Sequence, residues 1–137
     1  MRMVLLVLLL LAGCAAPESP QSPPSSPSDG RVVELVSYER QGGIAGFHDQ
    51  LVVRSDGSYS LNGADAGTLP SSELADLRRA LESAGFATLP TDSPLRVADG
   101  FVHTIRYGGY EIRAGDGSIP GSLEPVVDIL GRIVQQQ

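Results

Sequence analysis

The chain has 137 residues, with 10 Arg, no Lys and 16 Asp or Glu, for a formal net charge of −6. That length argues for one domain able to bury a modest core. The acidic balance excludes the basic surface that nucleic acid demands and the polybasic patch that binds anionic membranes. A single cysteine excludes a disulfide within the chain, so the domain is expected to fold on packing alone.

Met1 and Arg2 form a short positive head, residues 3–11 are almost wholly apolar, and Leu11-Ala12-Gly13 bring small residues up to Cys14. This is the tripartite layout of a secretory signal. The apolar run is too short for a transmembrane helix, which needs about 20 such residues. Leu-Ala-Gly-Cys resembles the lipobox of bacterial lipoproteins. The resemblance implies loss of residues 1–13, lipidation of Cys14 and anchorage on the extracytoplasmic face of the cell membrane. Removing Arg2 with the signal would leave 9 basic against 16 acidic residues, or −7.

Residues 14–30 are rich in Pro and Ser and carry no apolar side chain able to anchor them to a core. Such composition makes a semi-extended tether. At about 3.1 Å per residue in polyproline II geometry, it would hold a domain tens of ångströms from the bilayer.

The domain is expected over residues 31–137. Residues 32–38 are β-branched and aromatic and predict a first strand. Gly42-Gly43-Ile44-Ala45-Gly46-Phe47 follows, readable as a loop or as a β-bulge that folds Phe47 back into the core. Residues 50–54 and 58–61 predict two more strands, joined by an Asp56-Gly57 turn. After Leu69-Pro70, Leu74, Leu77, Leu81 and Ala84 recur at helical spacing, with Ser71 or Ser72 as a cap and Gly85 at the C′ position. Residues 101–107 alternate, with Phe101, His103, Ile105 and Tyr107 on one face, and Gly108-Gly109 turns the chain into residues 110–113. A last helix is predicted over 122–134, with Leu123, Val126, Val127, Leu130, Ile133 and Val134 inward and Pro125 in its first turn. The order βββα-ββα predicts an α+β domain, an antiparallel sheet of about five strands with two helices on one face.

Little in this order carries chemistry. His48 adjoins Asp49 but has no HExxH, no Cys pair and no third ligand beside it. His103 alternates with strand residues and reads as a partly buried sheet residue. There is no GxSxG elbow and no phosphate loop. Gly115-Asp116-Gly117 offers one carboxylate and reads as a turn. No enzymatic activity, metal or cofactor is therefore expected. The glycine-rich loop remains, since glycine lets backbone approach another surface closely and Ile44 and Phe47 would be its apolar tips.

The Gly-Gly-Ile-Ala-Gly loop, the Leu69-Pro70 opening of a Leu-rich helix, its Ala84-Gly85-Phe86 close, the strand after Asp99-Gly100-Phe101 and the run Ile119-Pro120…Leu123…Pro125 stand in a definite order. Together they resemble emfourin, the protealysin-inhibitor family, across residues 32–134. The chain departs from that family's pattern in having Ile44 where the family has Phe and His103 where it has Tyr. The resemblance implies a protein inhibitor of thermolysin-like zinc metallopeptidases, with residues 42–47 occluding the peptidase cleft. Those enzymes favour a bulky apolar side chain beside the scissile bond. The rival expectation is a membrane-anchored binding module of the cell envelope without inhibitory activity.

Overall fold

A computed structural model describes residues 31–136. The expected signal segment 1–13, the lipidated Cys14 and the tether 14–30 lie outside the described residues. Ten elements follow one another: β1 (Glu34–Gly42), β2 (Phe47–Arg54), β3 (Ser58–Leu61), β4 (Ala64–Thr68), α1 (Ser71–Ser83), a 3-10 turn (Phe86–Thr88), β5 (Asp92–Ser93), β6 (Phe101–Tyr107), β7 (Tyr110–Gly115) and α2 (Glu124–Gln135).

The architecture is α+β, as the element order implies, but the sheet has seven strands rather than five. Its order is β4-β3-β2-β1-β6-β7-β5. It is also mixed, because β5 runs parallel to β7 while the other neighbours are antiparallel. Both extra strands lie at the edges. β4 reads Ala-Asp-Ala-Gly-Thr, nearly free of β-formers, and owes its strand state to pairing with β3. The signal for it was Asn62-Gly63, whose φ angles of 52° and 82° suit a tight hairpin turn. β5 is two residues long, tied to β7 by pairing and by an Arg113–Asp92 ion pair at 2.9 Å.

Alternation divides the sheet into two faces. Val36, Tyr38, Leu51, Val53, Tyr59, Ile105 and Ile112 point to the side that carries both helices, and all are buried. Leu77 and Leu81 of α1 meet them, as do Val126, Val127, Ile129, Leu130, Ile133 and Val134 of α2. The opposite face carries Glu39, His48, Arg106, Glu111 and Arg113. Its pairs, such as Arg106–Glu111 at 2.6 Å, are exposed and contribute little to stability.

The helix ends differ in detail from expectation. Pro70 occupies the N-cap position of α1, where it offers no side-chain bond, and Ser71 and Ser72 are already helical. Gly85 is left-handed at φ 69° in the C′ place expected for it, and Phe86 behind it is buried. α2 starts at Glu124 rather than 122, after a turn in which the Leu123 amide donates to the Pro120 carbonyl at 2.8 Å.

Candidate functional site

Because β1 lies between β2 and β6, its last residue is paired on both sides. Gly42 stands opposite Phe47 and opposite Phe101. The β1–β2 ladder runs without a break from Val36 to Gly42, so residues 43–46 are a hairpin loop and not a bulge. Its one irregularity lies at the other end, between Glu34 and Val36.

The Gly43 amide donates to the Gly100 carbonyl at 3.1 Å, and the Gly46 amide donates to the Gly43 carbonyl at 3.1 Å. This clamp requires glycine. At Gly42, φ is 129° and a Cβ would lie 2.5 Å from the Gly100 oxygen; at Gly43, φ is 73° and a Cβ would lie 2.9 Å from the Phe101 ring. A side chain at Gly42 would push the two backbones apart, and one at Gly43 would displace the Phe101 ring. Held in this way, the tip leaves Ile44 90% exposed and Phe47 52% exposed, with Ala45 and Gly46 exposed between them. Phe47 does not fold into the core. Its ring leans on Phe101 instead, with centroids 6.4 Å apart.

Phe101 is itself braced. The Arg40 guanidinium sits 4.7 Å from its ring centroid, a cation–π contact. Arg40 also donates through Nε and Nη2 to one oxygen of Asp49, at 3.1 and 2.6 Å. Both partners are largely shielded from solvent, so the pair is neutral as the surface presents it. His48 and Asp49, adjacent in the chain, point to opposite faces. Asp49 meets Arg40 on the helix side, whereas His48 meets Glu39 at 2.8 Å on the open side. They cannot share a ligand.

Deeper in lies a row the sequence did not suggest. Tyr38 Oη is 2.8 Å from His103 Nδ1, and His103 Nε2 is 2.9 Å from Asp116 Oδ1. The Phe101 amide donates to the other carboxylate oxygen, Oδ2, at 2.8 Å. Burial raises the Asp116 carboxyl, but the Phe101 amide, the His103 bond and charge, and Arg40 outweigh it and hold the group below its ordinary value. Burial also pushes the Tyr38 hydroxyl above its usual range; Arg40 opposes that, and Asp116 and Asp49 add to it. Tyr38 therefore keeps its proton, and the carboxylate accepts from Nε2–H; when the imidazole is neutral, Nδ1 accepts from the Tyr38 hydroxyl. The order of groups is that of a hydrolase triad, but Tyr38 is only 2% exposed and its hydroxyl is committed to His103. This row braces the sheet and presents no nucleophile.

A cleft of about 420 Å³ opens beside the row, between β1, β6 and the last turns of α2, with Arg132, Asp128 and Gln135 at its mouth. Among the described residues no group of three or more His, Cys, Asp or Glu could hold a metal ion. No helix among them is long and apolar enough to cross a membrane.

Sequence reasoning identified the tip, residues 42–47, but missed its supports. Arg40 and Tyr38 lay hidden in a strand, and Asp116 read only as a turn residue. A signal for Asp116 existed. Counting back from the Gly108-Gly109 turn pairs Tyr107 with Tyr110, Ile105 with Ile112 and His103 with Ala114, which brings Asp116 level with Phe101. No family model, curated protein or solved structure matches the chain.

Proposed function

We propose that this protein is a membrane-tethered inhibitor of thermolysin-like metallopeptidases, which inserts the tip of its β1–β2 hairpin into the peptidase cleft. The observation that carries the reading is Ile44, a large apolar side chain left 90% exposed on a loop that two obligate glycines pin to the sheet. An unsupported loop with such a tip would collapse onto its own domain; this one is braced outward. A preformed loop loses little conformational entropy on binding, which favours tight association with a cleft. The resemblance to the protealysin-inhibitor family names the class of enzyme, and the apolar tip suits that enzyme's preference for a bulky apolar side chain beside the scissile bond. The Cys14 lipid and the Pro/Ser tether would keep the inhibitor at the envelope, where exported peptidases emerge.

The test is inhibition of a thermolysin-like metallopeptidase by the full chain. Ile44→Asp combined with Phe47→Asp is expected to weaken inhibition at least a hundredfold. Ile44 faces solvent and Phe47 is half-exposed with its ring against Phe101, so stability measured by urea unfolding should fall by no more than about 1 kcal/mol. A double variant that inhibits as well as wild type would remove the hairpin from the mechanism. A wild-type chain that binds an envelope component and inhibits no such peptidase would leave the binding-module reading in its place.

A further inference from the structure

We propose that the peptidase-binding surface is built from two segments, the hairpin tip and the loop 94–100, and that Asp116 is the positioning residue that locks them into one edge. The inference rests on the inhibitor reading above and enlarges its site. Seven large apolar side chains are exposed among the described residues, and four of them, Ile44, Phe47, Leu95 and Val97, gather at the same end of the sheet. Leu95 and Val97 are 44% and 47% exposed although the backbone beside them is firmly held.

That hold centres on Asp116. Its carbonyl accepts the Arg96 amide at 2.9 Å, its own amide donates to the Phe101 carbonyl at 2.9 Å, and its Oδ2 accepts the Phe101 amide. The neighbouring Gly115 lets the second segment lie directly on β7, since a Cβ there would come within 2.3 Å of the Leu95 Cα. The Gly100 amide donates to the Val97 carbonyl at 3.2 Å, and the Gly100 carbonyl accepts the amide of Gly43 in the hairpin. One chain of bonds thus runs from Arg96 through Asp116, Phe101 and Gly100 to Gly43. The two loops are not independent.

The partner is the apolar cleft of the same metallopeptidase. The projecting tip fits the depth of a cleft, and Leu95 and Val97 fit its wall. Arg40 and Asp49 pair at 2.6 Å within this edge, and the second segment adds the exposed Arg96 and Asp99, one charge of each sign. The described domain begins at Arg31, beside the start of β1, and a nine-residue strand separates that end from Gly42 by about 30 Å.

Two measurements on the full chain test this. Leu95→Asp with Val97→Asp should weaken inhibition of a thermolysin-like peptidase at least tenfold with the urea midpoint unchanged. Asp116→Ala, which removes the carboxylate from the Phe101 amide but keeps the main-chain bonds to Arg96 and Phe101, should accelerate amide hydrogen exchange at Phe101 and Gly43 together, at least tenfold more than at the core amides of Ile105 and Ile112. Asp116→Asn, which keeps an acceptor for the Phe101 amide, should restore much of that protection. Inhibition lost on Ile44→Asp/Phe47→Asp but kept on Leu95→Asp/Val97→Asp overturns the two-segment surface and leaves the hairpin reading standing. Exchange that rises at Phe101 but not at Gly43 overturns the role given to Asp116. A wild-type chain without inhibitory activity overturns the peptidase reading and, with it, the partner assigned to this edge.

Discussion

Replacing His103 by alanine is expected to destabilise the domain by about 2–4 kcal/mol, counting a cavity together with a stranded buried hydroxyl. His103 is 5% exposed and bridges the buried Tyr38 hydroxyl to the partly exposed Asp116 carboxylate. Its loss leaves the Tyr38 hydroxyl, 2% exposed, without an acceptor and frees one oxygen of Asp116. Tyr38→Phe removes the hydroxyl instead and strands only Nδ1, so it should cost about 1 kcal/mol. The two changes are in direct contact, and the double variant should fall short of their sum by about 0.5–3 kcal/mol. Urea unfolding followed at constant slope measures all three. A His103→Ala protein as stable as wild type would show that the row contributes nothing to the fold.

The same row sets a pH dependence whose direction follows from Asp116. Its carboxyl is held below its ordinary value in the folded state. A depressed folded value means that the contribution is complete above the unfolded value of about 3.9 and is lost as pH falls from there through the folded value. Stability should therefore drop on acidification below about pH 4, and that part of the drop should vanish in Asp116→Asn. An Asp116→Asn variant with an unaltered acid limb would contradict the assignment.

The second large effect is expected at Gly42. Gly42→Ala places a Cβ against the Gly100 oxygen at a φ of 129°, a conformation that side-chain-bearing residues rarely adopt. The strain and the displaced carbonyl together should cost about 2–3 kcal/mol. They should also break the bond from the Gly43 amide to Gly100, raising exchange at that amide and weakening inhibition. Gly46→Ala is the matched control. Its φ is also positive at 66°, but nothing lies within 4 Å of the added carbon, so only the backbone term of about 1 kcal/mol remains. Equal losses at the two positions would mean that φ alone matters and that the clamp onto Gly100 does not.

Much of the fold was legible because its period is local. The inward residues of α2 recur at helical spacing, and the six named from sequence are all buried, joined by Ile129. The alternation of Phe101, His103, Ile105 and Tyr107 and the Gly108-Gly109 turn gave the register of β6 and β7. β4 escaped because Ala-Asp-Ala-Gly-Thr has no intrinsic strand preference, and β5 because two residues carry no period at all. The parallel pairing of β5 was beyond any local signal, since it depends on where α1 and the following turn return the chain.

The candidate site divides along the same line. Composition and spacing alone marked residues 42–47 as a glycine-rich segment with apolar tips, because glycine content and side-chain character are properties of the chain. Whether that segment was a loop or a bulge, and whether Phe47 faced solvent or core, was decided by partners distant in sequence. Gly100 and Phe101 come to Gly42 only because β6 pairs with β1, and Asp116 comes to Phe101 only because β7 pairs with β6. The local sequence determines which backbone shapes are allowed there; the tertiary pairing selects one of them, because the bonds that brace an exposed loop must come from elsewhere in the chain.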